Sequence, residues 1–171
     1  VAAAGEEGRV LGRTVASISL RYPGTESELK ENRRLVNGVE WYDDKLIGYL
    51  DEDGFLYLTG RIKEMIISGG VNIFPAEIEE VLVNHPQVAD VAVIRGPDPD
   101  LGEVPLACIQ LAEGETVTEK ELVDYCHQQG LKGFKIPKQI VFYDELPRHI
   151  DGKLLKRHLE KEFWKDIDQR G

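Results

Sequence analysis

The sequence predicts an α+β fold, in which helices pack against a three-stranded sheet and a separate β-hairpin precedes them. After residue 64, apolar runs of strand length alternate with stretches of helical periodicity. Before that point, an acidic turn ending in Asp-Gly joins two further apolar runs. The composition, 42% hydrophobic and 30% charged over 171 residues, is typical of a folded chain with one core.

The N-terminal third carries the weaker secondary-structure signals. Residues 9–20 are β-branched and apolar enough for one strand or two short ones, and the polar residues 23–37 predict a connection that can include a helical turn from Ser27. The signal then sharpens, because residues 46–50 and 55–58 are apolar and flank the acidic turn. We therefore predict a hairpin over residues 47–58.

The remainder of the chain has clearer boundaries. Pro75 suits the first position of a helix that stops at Asn84, and Thr118 with Glu121 forms a capping box for a second helix through Gln128. The other predicted elements are strands at 65–67, 88–95, 104–111 and 139–143, a Pro-Asp turn at 96–100 and a basic helix at 154–164.

Several classes of protein are excluded or disfavoured. No apolar run reaches the roughly 18 residues that a membrane span needs, and the first residues lack the features of a secretory signal. The missing initial Met indicates a mature product or a piece of a longer chain. Cys108 and Cys126 lie in apolar runs without metal-ligand spacing, which predicts inert core thiols in a reducing, cytoplasmic compartment.

The net charge of −10 conceals a split along the chain. Residues 76–129 contain 12 acidic and two basic residues, whereas residues 130–161 contain eight basic and four acidic ones. The basic end is suited to meeting anions, although a solvated acidic face beside a solvated basic helix also explains the split. The acidic total and the lack of an aromatic-rich basic strand argue against a nucleic-acid partner.

Three segments carry the residue types of a ligand site, each with a purely structural alternative. Residues 59–64 form a charged connector or a solvated turn. In residues 68–72, two glycines before the Pro75 helix let a ligand approach amide donors, or simply make a tight turn. In residues 146–154, Lys153 follows a glycine on a loop and can reach a phosphate or carboxylate, or only adds surface charge.

Other catalytic signatures are lacking in the sequence. The Lys153 loop is not a Walker motif, because Leu154 stands where Ser or Thr is required. The histidines have no spacing that indicates zinc or a catalytic triad: His85, His127, His149 and His158.

Taken together, these segments closely resemble the adenylate-forming (AMP-dependent) acyl-CoA synthetase and ligase superfamily. The matching stretches are GYLDEDGFLYLTGR at 48–61, MIISGGVNIFPAEIE at 65–79 and the Leu-Pro-Arg through Gly-Lys motif at 146–153. The similarity covers roughly residues 47–160. The tail LLKRHLEKEFW resembles the bacterial long-chain, bile-acid and sterol-side-chain acyl-CoA ligase branch.

The resemblance implies a domain organisation and a reaction. Residues 1–61 would be the terminal strands of a large N-terminal adenylation domain, and residues 62–171 a small, mobile C-terminal lid. A carboxylic acid, such as a fatty acid, and ATP would give an acyl-adenylate and pyrophosphate, after which CoA would give the thioester and AMP. ATP, CoA and Mg²⁺ are implied, bound mainly by the large domain, so this chain alone is expected to be inactive.

The resemblance also implies roles for individual residues. Lys153 would be the catalytic lysine that bridges the carboxylate and the α-phosphate. Lys63 would be the hinge, Arg61 would lie near the nucleotide, and Lys135 would contact the CoA phosphates. The passage for the pantetheine arm of CoA would be lined by Ser68, Gly69, Gly70 and Val71.

One departure from the family pattern bears on activity. Family members have Gly-Asp before the Ile-Gly pair, and the Asp binds the ribose hydroxyls; here Lys45 and Leu46 stand there. Asp43 and Asp44 are nearby, but either would need a register shift to take that place. The alternative is therefore a degenerate lid-like module that acts in protein interaction or regulation.

Overall fold

The computed structural model of the chain describes residues 3–13 and 30–165. The chain divides into two compact units, Val1–Lys63 and Glu64–Gly171. Each unit has its own sheet, and in the second unit helices cover that sheet, which confirms the predicted α+β class. The predicted domain boundary after residue 61 lies two residues before the division between the units, and it stays a prediction as a functional boundary.

The first unit is an antiparallel sheet built around one long strand. Its strands are β1 (Gly8–Gly12), β2 (Arg33–Val36), β3 (Val39–Leu50) and β4 (Leu56–Arg61). Strand β3 pairs with each of the other three. The turn from β3 to β4 is closed by the Asp51 carboxylate, which accepts hydrogen bonds from the amides of Asp53 and Phe55 at 3.0 and 2.8 Å. The predicted hairpin over 47–58 is therefore present.

The expectation of a connection over residues 23–37 is wrong for its last part. Strands β2 and β3 form a hairpin whose turn is Asn37-Gly38, with φ angles of 51° and 75°. Positive φ at both central residues is the geometry of a type I′ turn, for which Asn-Gly is a strong sequence signal. Residues 14–29, with most of the predicted strand at 9–20 and the turn from Ser27, lie outside the described residues.

The second unit is a five-stranded sheet with helices on both faces. Its strands are β5 (Ile66–Ser68), β6 (Val71–Ile73), β7 (Val88–Asp98), β8 (Gly102–Leu111) and β9 (Gln139–Tyr143). The order is β6-β5-β8-β7, and β9 runs parallel to β8. The helices are α1 (Pro75–Val83), α2 (Glu119–Gln128) and α3 (Lys156–Trp164). Two 3₁₀ turns occupy Ile62–Glu64 and Gly133–Lys135.

The predicted three-stranded sheet is present as β7, β8 and β9. The structure extends it to five strands with the β5–β6 hairpin, which joins β8 through one residue pair, Ser68 with Gly102. Strand β5 corresponds to the strand predicted at 65–67, whereas β6, with three residues, is too short a pattern to assign from sequence. Strand β7 also continues past Pro97, because β7 is an edge strand in which a residue without an amide hydrogen is tolerated.

The alternation of side chains along β7 creates two cores. Val91 and Val93 point to the face covered by α1 and α2, whereas Ala92 and Ile94 point to the face covered by α3. The predicted capping box at the start of α2 is present, with the Glu121 amide donating to Thr118 Oγ1 at 3.2 Å. None of the helices in the described part of the chain has the length and apolar character of a membrane span.

Candidate functional site

Lys153 lies on a short loop between β9 and α3 that folds back on itself. Arg148 and Leu154 form an isolated antiparallel bridge, and the His149 amide donates to the Lys153 carbonyl at 2.8 Å. The Gly152 amide donates to the His149 carbonyl at 2.8 Å, and the Asp151 carboxylate accepts from the Lys153 amide at 3.1 Å. These bonds hold the loop backbone.

The Lys153 side chain is exposed, and its ammonium group makes no ion pair with any of the described residues. The loop is tied to the sheet by other residues. Arg148 pairs with Asp90 of β7, and the Leu146 amide donates to the Gln110 side chain of β8 at 2.9 Å. A free cation is therefore presented at the end of the sheet where β7 begins and β8 ends.

The two glycines predicted to line a ligand passage form the turn between β5 and β6. Gly69 and Gly70 have φ angles of 54° and 84°, which residues with a side chain rarely adopt. A Cβ on Gly70 would meet nothing within 4 Å among the described residues, whereas one on Gly69 would lie 3.1 Å from Leu101 Cδ2. Both glycines and Val71 are exposed, so this turn presents bare backbone to its surroundings.

Ser68, the fourth residue predicted for this passage, is instead fully buried. Its Oγ has no hydrogen-bond partner among the described residues and faces a depression of about 310 Å³. The depression is mostly apolar, and its lining residues include Leu101, Phe134 and Lys138. Sequence reasoning did not identify this depression, although the segment from Phe134 to Lys138 is visibly aromatic and basic.

Lys138, which lines the depression, and the nearby Lys135 already have acidic partners. Lys135 Nζ lies 2.6 Å from Glu77 Oε1, and Lys138 Nζ lies 3.4 Å from Asp98 Oδ2. Hydrogen bonds from the Leu101 and Asp100 amides, followed by the charge of Lys138, lower the pKa of Asp98. An anionic ligand at Lys135 or Lys138 would have to share or displace these carboxylates.

The lysine loop and the glycine turn lie at opposite ends of the same two strands. The loop is fixed to Asp90, while Ser68 pairs with Gly102, which pairs in turn with Asp98. Asp98 lies eight residue steps after Asp90 along β7, which corresponds to about 25 Å at the usual rise of an extended strand. The structure therefore brings Ser68 and Gly69 close to the segment that contains Phe134 and Lys138 but keeps Lys153 at the other end of the strands.

Lys63, the predicted hinge, is the last residue of the first unit. It is exposed and occupies the middle of the 3₁₀ turn Ile62–Glu64. The next residue, Glu64, is held within the second unit by Lys156 Nζ at 3.5 Å, and Lys156 also pairs with Glu79 of α1 at 2.7 Å. The second unit is thus anchored immediately after Lys63.

Arg61 lies at the end of β4, directly across from Leu46 of β3. Leu46 stands where the resemblance implies a ribose-binding Asp, and a carboxylate there would be a cross-strand neighbour of Arg61. The nearby Asp43 does not replace it. Asp43 is fully buried and is paired with Arg9 at 3.1 Å and with Arg34 at 3.4 Å.

Strand β3 has a register shift in its pairing with β1 close to position 46, but this shift leaves Asp43 in its ion pairs. Along β3, Asp43 pairs with Leu11 while Leu46 pairs with Val10, so Asp44 and Lys45 form a bulge. Lys45 adopts a φ of 58°, a conformation that suits the glycine usual at this position. The chain therefore forms a bulge and a positive φ where the resemblance implies a glycine, and it has no carboxylate at position 46.

Comparisons with known proteins show to which family this fold belongs. The family model described as AMP-binding enzyme C-terminal domain matches residues 77–153. A 2-succinylbenzoate–CoA ligase of Bacillus cereus is 47% identical over 121 residues, which are 71% of this chain and 24% of the relative. The chain thus spans about a quarter of the length of the curated relatives it matches.

Solved structures give the same picture. The o-succinylbenzoate CoA synthetase of Bacillus subtilis, in complex with an acyl-adenylate intermediate, matches 93% of this chain and 31% of its own with a TM-score of 0.80 and 37% identity. A fatty acyl CoA synthetase of Mycobacterium tuberculosis matches 77% of this chain and 25% of its own, with a TM-score of 0.63 and 40% identity. The resemblance to one branch of ligases, drawn from the C-terminal tail, stays a prediction. Family model, sequence relatives and solved structures together show that this chain carries the C-terminal domain of the adenylate-forming acyl-CoA ligase superfamily.

Proposed function

We propose that this chain is the mobile C-terminal part of an AMP-forming acid–CoA ligase that acts on a fatty acid or a related carboxylic acid. A large adenylation domain, in the same or a separate chain, would hold ATP with Mg²⁺ and the acid. The second unit would present first its lysine loop and then its glycine turn to that domain. Two buried thiols suit a reducing cytoplasm for this enzyme.

The observation that carries this proposal is the placement of the two candidate surfaces. Lys153 and the Gly69-Gly70 turn lie at opposite ends of β7 and β8, about 25 Å apart along the strands. A rigid body with this arrangement cannot offer both ends to one fixed substrate site. A reaction in two steps, with a rotation between them, uses both.

In the first step, a carboxylate oxygen of the acid attacks the α-phosphorus of ATP, and pyrophosphate leaves. Two anions approach each other, so a cation placed between them stabilises the transition state more than the separated reactants. Lys153 suits this role because its ammonium group is exposed and unpaired with respect to the described residues. Removal of one such electrostatic contact typically lowers a rate by about 10²–10³-fold.

In the second step, the CoA thiol attacks the acyl carbonyl of the adenylate, and AMP leaves. The Gly69-Gly70 turn offers space for the thin pantetheine arm, since a Cβ on Gly70 would fill an open region. Lys135 would contact the CoA phosphates, and the nearby Lys138 would be a second cation for them. Their carboxylate partners, Glu77 and Asp98, are exchanged for phosphate in this proposal.

The rotation between the two steps is assigned to Lys63. Lys63 is exposed at the division between the two units, and its successor Glu64 is fixed to Lys156. Backbone rotation at Lys63 would therefore turn the second unit as one body. Arg61, at the end of β4, would remain with the nucleotide.

The test uses both the chain alone and a chimera, in which the large domain of the Bacillus subtilis relative precedes residues 39–171 of this chain. We expect the chain alone to give no ATP–pyrophosphate exchange, and the chimera to catalyse exchange with 2-succinylbenzoate. Lys153→Ala should reduce that exchange about 10²–10³-fold. Exchange by the chain alone, or a Lys153→Ala chimera as active as its parent, would contradict the proposal.

The second candidate function is a lid-like module that has lost chemistry and acts in protein interaction or regulation. Leu46 favours it, because the ribose carboxylate is missing and Asp43 is held by Arg9 and Arg34. The retained Lys153 and the Gly69-Gly70 turn favour the ligase. A chimera that binds ATP and folds but shows no Lys153-dependent exchange would support the module.

A further inference from the structure

We infer that Arg148 is a positioning residue for Lys153, which it serves by fixing the lysine loop to β7 through Asp90. This inference rests on the proposed function, since it concerns the adenylation step. Arg148 lies within the loop, five residues before Lys153, and its guanidinium group makes two different contacts. One joins the loop to the sheet, and the other joins the loop to itself.

The first contact is an ion pair between Arg148 Nη2 and Asp90 Oδ2, across 58 residues of sequence. Asp90 lies at the start of β7, beside a register shift in its pairing with β8, and its other carboxylate oxygen accepts from the Val91 amide at 2.9 Å. The Asp90 carboxylate is therefore held in one orientation by its own strand. Arg148 transmits that orientation to the loop.

The second contact is a hydrogen bond from Arg148 Nη1 to the Gly152 carbonyl oxygen at 2.6 Å. This carbonyl belongs to the peptide group that precedes Lys153, so the bond fixes the plane of that peptide. Gly152 has a φ of 84°, a conformation that glycine can leave at little cost. The Asp151 carboxylate holds the amide side of the same peptide at 3.1 Å, so loss of Arg148 removes one of its two anchors and widens the range of directions in which the Lys153 side chain leaves the backbone.

The shape of the guanidinium group is essential to this arrangement. Arginine is a planar fork that can donate to two acceptors in fixed directions, whereas lysine is a point charge on a flexible stem. A lysine at position 148 can pair with Asp90 but cannot hold the Gly152 carbonyl with the same geometry. Arg148→Lys therefore keeps the ion pair with Asp90 but removes the hydrogen bond that orients the Gly152 carbonyl.

The functional expectation follows from how sharply reaction rates depend on geometry. A misplacement of about 1 Å in a catalytic group can cost about 10²-fold in rate. Lys153 acts only in the adenylation step of the proposed reaction, so disorder in its loop should slow that step alone. The binding of ATP depends on the large domain, so the KM for ATP should change little.

The experiment combines hydrogen exchange on the chain with the two half-reactions of the chimera described above. Arg148→Lys and Asp90→Asn are compared with Arg157→Gln, a matched control at an exposed arginine of α3. For Arg148→Lys we expect exchange at the His149, Gly152 and Lys153 amides to rise about tenfold, and kcat for ATP–pyrophosphate exchange to fall about tenfold or more. The melting temperature of Arg148→Lys, and its rate of thioester formation from supplied acyl-adenylate, should match those of the parent. Asp90→Asn should likewise raise amide exchange in the loop and lower kcat for ATP–pyrophosphate exchange.

Three results would overturn the inference, and they separate it from the proposed function. If Arg148→Lys exchanges pyrophosphate within twofold of its parent while Lys153→Ala does not, Arg148 does not position the lysine and the proposed function stands. If both half-reactions fall together with the melting temperature, Arg148 is only structural. If Lys153→Ala is as active as its parent, the proposed function falls, and this inference falls with it.

Discussion

Leu46 is the residue at which this chain departs from the nucleotide-binding pattern that the resemblance implies. Its position on β3 is kept by the Asp44–Lys45 bulge, and Arg61 lies directly opposite on β4. Residues opposite each other in an antiparallel pair have Cβ atoms about 5 Å apart. An acidic residue at 46 would thus lie beside a cation that the resemblance places near the nucleotide.

We predict that Leu46→Asp strengthens nucleotide binding in the chimera. The added carboxylate would accept hydrogen bonds from the ribose hydroxyls, and hydrogen bonds to a charged group contribute about 1.5–3 kcal/mol. The KM for ATP should therefore fall about tenfold or more, measured by pyrophosphate exchange. Leu46→Asn is the matched control without charge, and it should recover only part of the effect. An unchanged KM in Leu46→Asp would contradict a ribose site at this position.

The two cysteines illustrate burial without chemistry. Both are fully buried, and desolvation raises the pKa of Cys108 to about 12 and that of Cys126 to about 11. A thiol attacks as the thiolate, so neither side chain is a nucleophile near neutral pH. The core role predicted for both from their apolar neighbours is found.

We predict that neither cysteine reacts with a disulfide reagent at pH 8 until the chain unfolds. Because each pKa is higher in the folded state than in the unfolded one, their contribution to stability is complete below about pH 9. It is lost as the pH rises through about 11 and 12, since the unfolded thiols ionise first. Denaturant midpoints at pH 8 and pH 10.5 measure the loss, and Cys108→Ala with Cys126→Ala should reduce the difference. Rapid labelling of the folded chain at pH 8 would contradict the predicted lack of reactivity of the two thiols.

At the scale of elements, the two glycines in the turn of the β5–β6 hairpin are subject to different structural constraints. Both Gly69 and Gly70 need positive φ, but only Gly69 would also meet a neighbour, Leu101, if it carried a Cβ. Gly114, in the turn after β8, has a φ of 77° and open space around it, as Gly70 does at 84°. Gly70 and Gly114 should therefore contribute equally to stability, but only Gly70 lies in the turn proposed to bind pantetheine.

We predict that Gly70→Ala and Gly114→Ala each lower the free energy of unfolding by about 1–2 kcal/mol, the cost of a left-handed backbone with a side chain. In the chimera, Gly70→Ala should also slow thioester formation from supplied acyl-adenylate, because its methyl group narrows the proposed pantetheine passage. Gly114→Ala should leave that step unchanged. Equal rates for the two variants would show that Gly70 serves the turn alone.

Elements whose signals are local were predicted well from the sequence. Helix α1 begins at Pro75, α2 begins after the Thr118 cap, and β9 spans the residues expected, because caps and apolar periodicity act within a few residues. The β2–β3 hairpin was not predicted, although Asn37-Gly38 is a strong sequence signal for its turn. The short strands β5 and β6 were not distinguished as a pair, since three residues give no period to read.

The candidate site divides in the same way. Lys153 and the glycine pair are visible as motifs, but their separation along β7 and β8 depends on strand pairing that the sequence alone does not fix. The Arg148–Asp90 pair joins residues 58 apart, and the depression beside Ser68 collects side chains from three separate segments. Such contacts become visible only when the fold is assembled.

At the scale of the whole molecule, apolar burial is distributed very unevenly between the two units. Every fully buried apolar side chain in the described part of the chain belongs to the second unit, from Ile66 to Leu159. The first unit instead exposes large apolar side chains, among them Leu35 at 76%, Phe55 at 66% and Leu58 at 57%. Complete burial of one such side chain contributes about 1.5–3 kcal/mol.

We therefore predict that the first unit is the less stable one in the isolated chain and gains its stability from the large domain. Amides of β3 and β4, such as Tyr49 and Tyr57, should exchange hydrogen faster than those of Ile94 and Ile109 in the second unit. In the chimera, protection of β3 and β4 should rise about tenfold or more, as burial of one apolar side chain suffices for that change. Leu58→Asp, which places a charge on the exposed surface, should remove most of this gain, whereas Glu52→Gln in the β3–β4 turn should keep it. Equal protection of both units in the isolated chain would mean that the first sheet is complete without a partner, and the assignment of its exposed surface to a large domain would then be wrong.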